Sequence, residues 1–178
     1  MHVLAVSGLI GSGKDTVAGL IAEKYGYEMI QLADVLRGML RKEGIPVTRE
    51  NLQQYRLKHG RTFLAEECVR IAGKSRAARL IFAPMRMMED FSILRKSFPG
   101  IKLIWVDSPA TTRFRRLSGR NRENDPKTLI AFKEQDMKEM KIFDFRKLRK
   151  AADYKIQNGG SVEDLRKAVD KLMKEVDK

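Results

Sequence analysis

One short stretch near the start of the chain constrains it more than any other: Gly8-Leu9-Ile10-Gly11-Ser12-Gly13-Lys14-Asp15-Thr16. Before it runs a short apolar segment, residues 3–6, of the kind that forms a fully buried parallel strand. After it comes a helical pattern over about 14–25, with Val17, Leu20 and Ile21 on one face and Gly26 where a helix-ending glycine belongs. A G-x-x-x-x-G-K pattern between strand and helix lets backbone N–H groups turn inward around phosphate oxygens, because glycine has no Cβ to clash with them. The helix that starts at the lysine adds the positive end of its dipole. Lys14 adds a mobile charge suited to β- and γ-phosphates. A nucleoside triphosphate is therefore the expected ligand, held by Gly8, Gly11, Ser12, Gly13, Lys14, Asp15 and Thr16.

The rest of the chain reads as strands alternating with helices. Further strand-like runs lie at 27–32, 80–82, 103–106 and 152–157. Helical patterns cover 33–42 and much of 48–73, separated by the break Gly44-Ile45-Pro46. The polar segment 118–126 reads as an exposed loop. Gly159-Gly160 reads as a turn, and Ser161 with Asp164 as a capping-box start for a last helix that buries Leu165, Val169, Leu172 and Val176. Such alternation implies a parallel α/β sheet. The chain has 178 residues, without repeat or linker, so a single domain spanning 1–178 is expected.

Charge is the one unusual bulk property. The net charge is +13, and residues 111–150 hold 13 Lys/Arg against 6 Asp/Glu. A basic surface attracts phosphorylated ligands, nucleic acid among them, but a Lys-rich solvated surface explains the bulk of it equally well. No aromatic-basic recognition motif favours nucleic acid. Cys68 is the only cysteine, which excludes an internal disulfide, and with only His2 and His59 beside it no Cys/His zinc cluster can be built. The apolar start is too short for a membrane span and lacks the basic flank of a signal peptide, so a cytoplasmic location without membrane partners is expected.

Asp15 stands where Ser or Thr usually follows the P-loop lysine, and Thr16 comes next. A carboxylate there must contact Mg²⁺ or turn to solvent, while Thr16 can meet a phosphate or a metal-bound water. With this variant ending, the chain resembles the P-loop nucleoside-monophosphate kinase superfamily, most of all archaeal adenylate kinase-like and dephospho-CoA kinase-like proteins. The resemblance implies a three-layer α/β/α fold on a five-stranded parallel sheet, with a helical acceptor-binding insertion over about 33–75 and a short lid over about 117–127. It implies ATP and Mg²⁺ as cofactors, with Thr16 and Asp15 on the metal side.

The same resemblance assigns further residues. Asp34 and Arg37 match a D-x-x-R segment that holds the acceptor; read from spacing alone, they are equally an ordinary surface pair one helical turn apart. Arg86 matches an acceptor-phosphate arginine. Arg116 is assigned to adenine, Arg120 to the transferring phosphates, and Arg122 to the lid. Asn158 and Gly160 match the adenine-side loop. Lys14, Arg86 and Arg120 are the catalytic set, and Asp34, Arg37, Arg86 and Arg122 the acceptor set. Met39, Met85, Met87 and Met88 suit either core packing, the preferred reading, or a flexible apolar pocket.

Two departures bear on activity. Where the family keeps Asp-Gly after the third strand, this chain reads Ala83-Pro84, and the lid-return helix carries Gln135-Asp136 in place of Arg-Asp. A hydroxyl acceptor benefits from a nearby base, whereas a phosphate acceptor needs none. The expected function is thus an ATP-dependent phosphotransferase acting on a nucleoside monophosphate or a related small phosphorylated nucleotide, as a monomer or homodimer. The alternatives are dephospho-CoA kinase-like transfer to a hydroxyl, a nucleotide-binding regulator with little turnover, and a nucleic-acid-associated ATPase.

Overall fold

Alternation along the strands builds the protein. Val3 and Ala5, Leu80 and Phe82, and Leu103 and Trp105 bury against one face of the sheet. Their neighbours Leu4 and Val6, Ile81 and Ala83, and Ile104 and Val106 bury against the other. A strand apolar on both faces must be covered on both, and the result is a three-layer α/β/α arrangement. The structure, a computed structural model, describes residues 1–60, 62–120 and 125–176.

The sheet holds β1 (His2–Gly8), β2 (Glu28–Gln31), β3 (Arg79–Met85), β4 (Lys102–Asp107) and β5 (Tyr154–Gln157), in the order β2-β3-β1-β4-β5. Every adjacent pair is parallel. On one face lie α1 (Lys14–Tyr25) and α9 (Val162–Val176). On the other lie α2 (Leu32–Lys42), α3 (Arg49–His59), α4 (Phe63–Ala72), α5 (Met88–Ser97) and α8 (Phe145–Ala151). Helices α6 (Ala110–Arg120) and α7 (Leu129–Ile142) stand over the carboxyl end of the sheet, where Arg113 of α6 reaches the glycine-rich loop. The chain leaves β1 towards β2 and β3 on one side, then crosses to β4 and β5 on the other. Parallel sheets bind ligands at such a switch point, beyond the carboxyl ends of the strands.

The five expected strands and the five-stranded parallel sheet are present. Residues 48–73 form two helices, α3 and α4, divided near Gly60, whose φ of 90° lies in the left-handed region. The Ser161 backbone N–H donates to Asp164 Oδ2, and the Asp164 N–H to Ser161 Oγ, so the capping box starts α9 as expected. One expectation needs correction. The segment 118–126 is not an exposed loop throughout: α6 runs on to Arg120, and Asp125 and Pro126 are buried, because Asp125 accepts both ends of the Arg120 guanidinium. Of the four methionines, Met85 is fully buried, Met39 and Met88 pack against the same core, and Met87 alone lines a cleft. Among the described residues no helix is long and apolar enough to cross a membrane.

Candidate functional site

The glycine-rich loop leaves β1 at Gly8 and enters α1 at Lys14, and its shape demands glycine. Gly13 has φ 88°, and a Cβ there would stand 2.3 Å from Asn158 Nδ2. Gly11 has φ 74°, and a Cβ there would stand 2.9 Å from the Arg113 carbonyl oxygen. No other residue type tolerates both the left-handed backbone and the missing space. The loop's Ser12 hydroxyl is buried without a hydrogen-bond partner. An orphaned hydroxyl in a cradle of glycines at a helix N-terminus fits a triphosphate, whose oxygens would satisfy it.

Two arginines brace this cradle. Arg113 is buried, donates from Nη1 to the Ile10 carbonyl and from Nε to the Ser108 carbonyl, and lies over the Phe132 ring. Its fork also grips Asp136 of α7 through both oxygens, at 2.6 and 2.8 Å. Arg113 thereby ties the loop to the lid-return helix. Sequence reading gave it no role of its own, since its partners Ile10 and Asp136 lie far off in the chain. Arg116 donates to Ser108 Oγ, to the carbonyl and side-chain oxygens of Asn158, and to the Gly160 carbonyl. Asn158 passes the restraint on, donating from Nδ2 to the Ser12 carbonyl at 2.8 Å. Arg116, Asn158, Gly160 and Ser12 are thus brought together, with hydrogen bonds binding the β5–α9 turn to the loop.

Lys14 is buried beside the loop, and among the described residues no ion pair occupies its ammonium. Burial holds its pKa below the ordinary lysine value; Asp15 opposes this, Arg86 adds to it, Glu139 opposes and Arg120 adds. Those charges are therefore the ones gathered around it. Asp15 and Thr16 are exposed at the start of α1. No cluster of three or more His, Cys, Asp or Glu that could hold a metal alone occurs among the described residues. That suits Mg²⁺ carried by triphosphate oxygens with one or two protein groups, here Asp15 and Thr16, and not a dedicated protein cage. Arg120 is held by Asp125, at 2.6 and 2.7 Å. Arg122 lies outside the described residues.

Next to the cradle opens a cleft of about 770 Å³, between α2–α4 on one side and α7 on the other. Its walls are largely apolar, with Leu36, Leu57, Leu64, Met87, Ile142 and Phe143 among them. Arg86 lines it, with its guanidinium over the Phe143 ring and no carboxylate partner among the described residues. The structure does not bring Asp34 and Arg37 into this cleft. They pair with each other at 2.7 Å on the exposed side of α2, while Ala33 and Leu36 turn inward. A single turn of helix sets which flank faces the cleft, and spacing alone did not reveal it. Glu139, which no motif marked, is buried on α7 and lines the cleft wall.

A glycine cradle with a free lysine on a five-stranded parallel sheet, opening onto an acceptor-sized cleft, defines a P-loop protein of kinase-like fold. The family model described as "AAA domain" matches residues 7–133. The chain belongs to the UPF0200 family: it is 33% identical to a UPF0200 protein of Methanothermobacter thermautotrophicus, over 99% of this chain and 91% of that one. UPF0200 protein TK1334 of Thermococcus kodakarensis is 31% identical, over 98% of this chain and 97% of that one. Among solved structures, a shikimate kinase from Acinetobacter baumannii in complex with shikimate matches with a TM-score of 0.65, at 18% identity, over 98% of this chain and 94% of that one. A gluconokinase from Sinorhizobium meliloti 1021 matches at 0.63, also at 18% identity, over 99% and 94%. At that identity the likeness is one of fold.

Proposed function

We propose that the protein is an ATP-dependent phosphotransferase whose acceptor is a small phosphorylated, nucleotide-type molecule bound in the cleft beside Arg86. The observation that carries this reading is the convergence of Lys14 and Arg86, two cations without an ion-pair partner among the described residues, where the phosphate cradle meets the cleft. Phosphoryl transfer depends mainly on positioning and charge neutralisation, and such a pair suits a donor phosphate on one side and an anionic acceptor on the other. The P-loop N–H groups and Lys14 hold the triphosphate. Mg²⁺, bound through the phosphates with Asp15 and Thr16, would neutralise charge on the β- and γ-phosphate oxygens. Arg86 orients the acceptor, and Arg120 reaches the phosphates once it leaves Asp125. The apolar walls exclude water and accept a planar or aliphatic body. The shikimate kinase and gluconokinase matches support a small acceptor.

ADP release with ATP and a panel of nucleoside monophosphates and dephospho-CoA tests the reading. An acceptor-dependent rate is expected, with Arg86→Ala slowing it on the order of 10²–10³-fold while leaving ATP binding intact. ATP binding without acceptor-dependent ADP would make the protein a nucleotide binder instead.

A further inference from the structure

The carboxylate missing from the end of β3 has a counterpart across the cleft. Ala83 and Pro84 leave that strand without an acid at the site. Glu139 projects from α7, only 8% exposed, into the same cleft as Arg86. Its field reaches Lys14, which marks the γ-phosphate end of the cradle. The placement is rigid. Asp136, one helical turn earlier, is gripped at both oxygens by Arg113, which also holds the loop at Ile10. The only hydrogen bond to the Glu139 carboxylate among the described residues is a long one, 3.4 Å from Gln135 Nε2. The residue lines the cleft wall.

Burying a carboxylate beside a transferring phosphate repels the phosphate and is costly, unless the carboxylate takes part in the reaction. Resting on the kinase reading above, we infer that Glu139 is the proton acceptor for a hydroxyl on the acceptor, so the product is a phosphomonoester. The acceptor O–H proton passes to the Glu139 carboxylate as the oxygen forms its bond to the γ-phosphorus. The bond from that phosphorus to the β,γ-bridging oxygen breaks, and ADP leaves with the electron pair. An acceptor that is already a phosphate anion would lack this proton and would be pushed away by Glu139. The anionic group of the acceptor sits on Arg86, and its hydroxyl points to Glu139.

The charged groups that line the cleft with Glu139 are Arg86 after β3, Arg56 with Asp90 across the cleft, and Glu134 and Lys138 on its own helix, and its charge is felt at Lys14 on α1.

The test uses the full-length protein with ATP and Mg²⁺, and as probes water, nucleoside monophosphates, dephospho-CoA and small hydroxy acids, with the product's linkage read by ³¹P NMR. A phosphomonoester is expected, or inorganic phosphate with water. Glu139→Gln should lower kcat about 10²–10⁴-fold. The KM for ATP and ATP-induced thermal stabilisation should be unchanged, and Glu139→Asp should restore part of the rate. A phosphoanhydride product, or a Glu139→Gln rate within threefold of the parent, overturns the inference and leaves the kinase reading standing. ATP binding without transfer to any probe, water included, sinks both.

Discussion

Lys14 is buried, and the cost of burying its charge is part of how the site works. Its folded pKa lies below the 10.5 of an ordinary lysine. Between those two values the unfolded chain holds more protons than the folded one, so the stability of the unliganded protein rises with pH across that alkaline window. A bound triphosphate reverses the balance, because its oxygens favour the ammonium. Binding then takes up a proton in the window, and ATP affinity falls as pH climbs through it. Lys14→Met removes the buried charge and keeps most of the packing. Thermal melts from neutral to alkaline pH should show the variant at least as stable as the parent without ligand, with the alkaline gain gone and no stabilisation by ATP. A loss of unliganded stability on Lys14→Met would contradict this account.

At the scale of elements, α7 is as much a part of the site as the P-loop. Arg113 joins them, its side chain 5% exposed and that of Asp136 20%. Removing one partner of a pair so enclosed strands the other without water, at a cost of about 3–5 kcal/mol. Arg113→Ala is therefore expected to lower stability by that order in chemical denaturation. It should weaken ATP binding as well, because Ile10 loses its brace. Asp136→Asn should be milder, since Arg113 keeps its two carbonyl acceptors. The outcome to watch for is the reverse order of severity, which would mean that α7 and not the loop depends on the contact. Arg120 is a contrast. Its pair with Asp125 is lopsided, with the arginine side chain 36% exposed and the aspartate 5%, so the guanidinium leaves it only where phosphates compensate for the buried carboxylate.

At the scale of the whole molecule, the net charge of +13 acts on every anionic ligand. ATP at a hundred times its Kd should stabilise the fold by about 2.7 kcal/mol, roughly 5–10 °C in Tm for a chain of this size. Salt should weaken the association without abolishing it, because the backbone cradle and Lys14 are shielded from bulk screening. Nucleic acid held only by the exposed basic surface should come off steeply as salt rises. Calorimetry of ATP and of a generic oligonucleotide over the same salt series separates the two. An oligonucleotide that stays bound at high salt would point to a specific nucleic-acid site.

Local rules were enough to locate the sheet and the cradle. A buried strand must be continuously apolar, a phosphate loop must be glycine where φ is positive, and a capped helix shows its Ser161–Asp164 signature, all within a few neighbouring residues. Arg116, Asn158 and Gly160 were singled out because their segments resemble a known pattern, and Arg86 because the same resemblance puts an arginine after that strand. What tertiary structure alone decided is which charges are solvated and which are enclosed. Arg113 and Asp136 meet across 23 residues, and Arg56 meets Asp90 across 34. Asp34 and Arg37, promising by resemblance, stay on the outer flank of α2. Glu139 is one acid among several on a charged helix until the packing of α7 places it in the cleft wall. Patterns of residue type record what each segment must bury, but the direction a charged side chain faces depends on the rotation and docking of its helix, and distant segments set those.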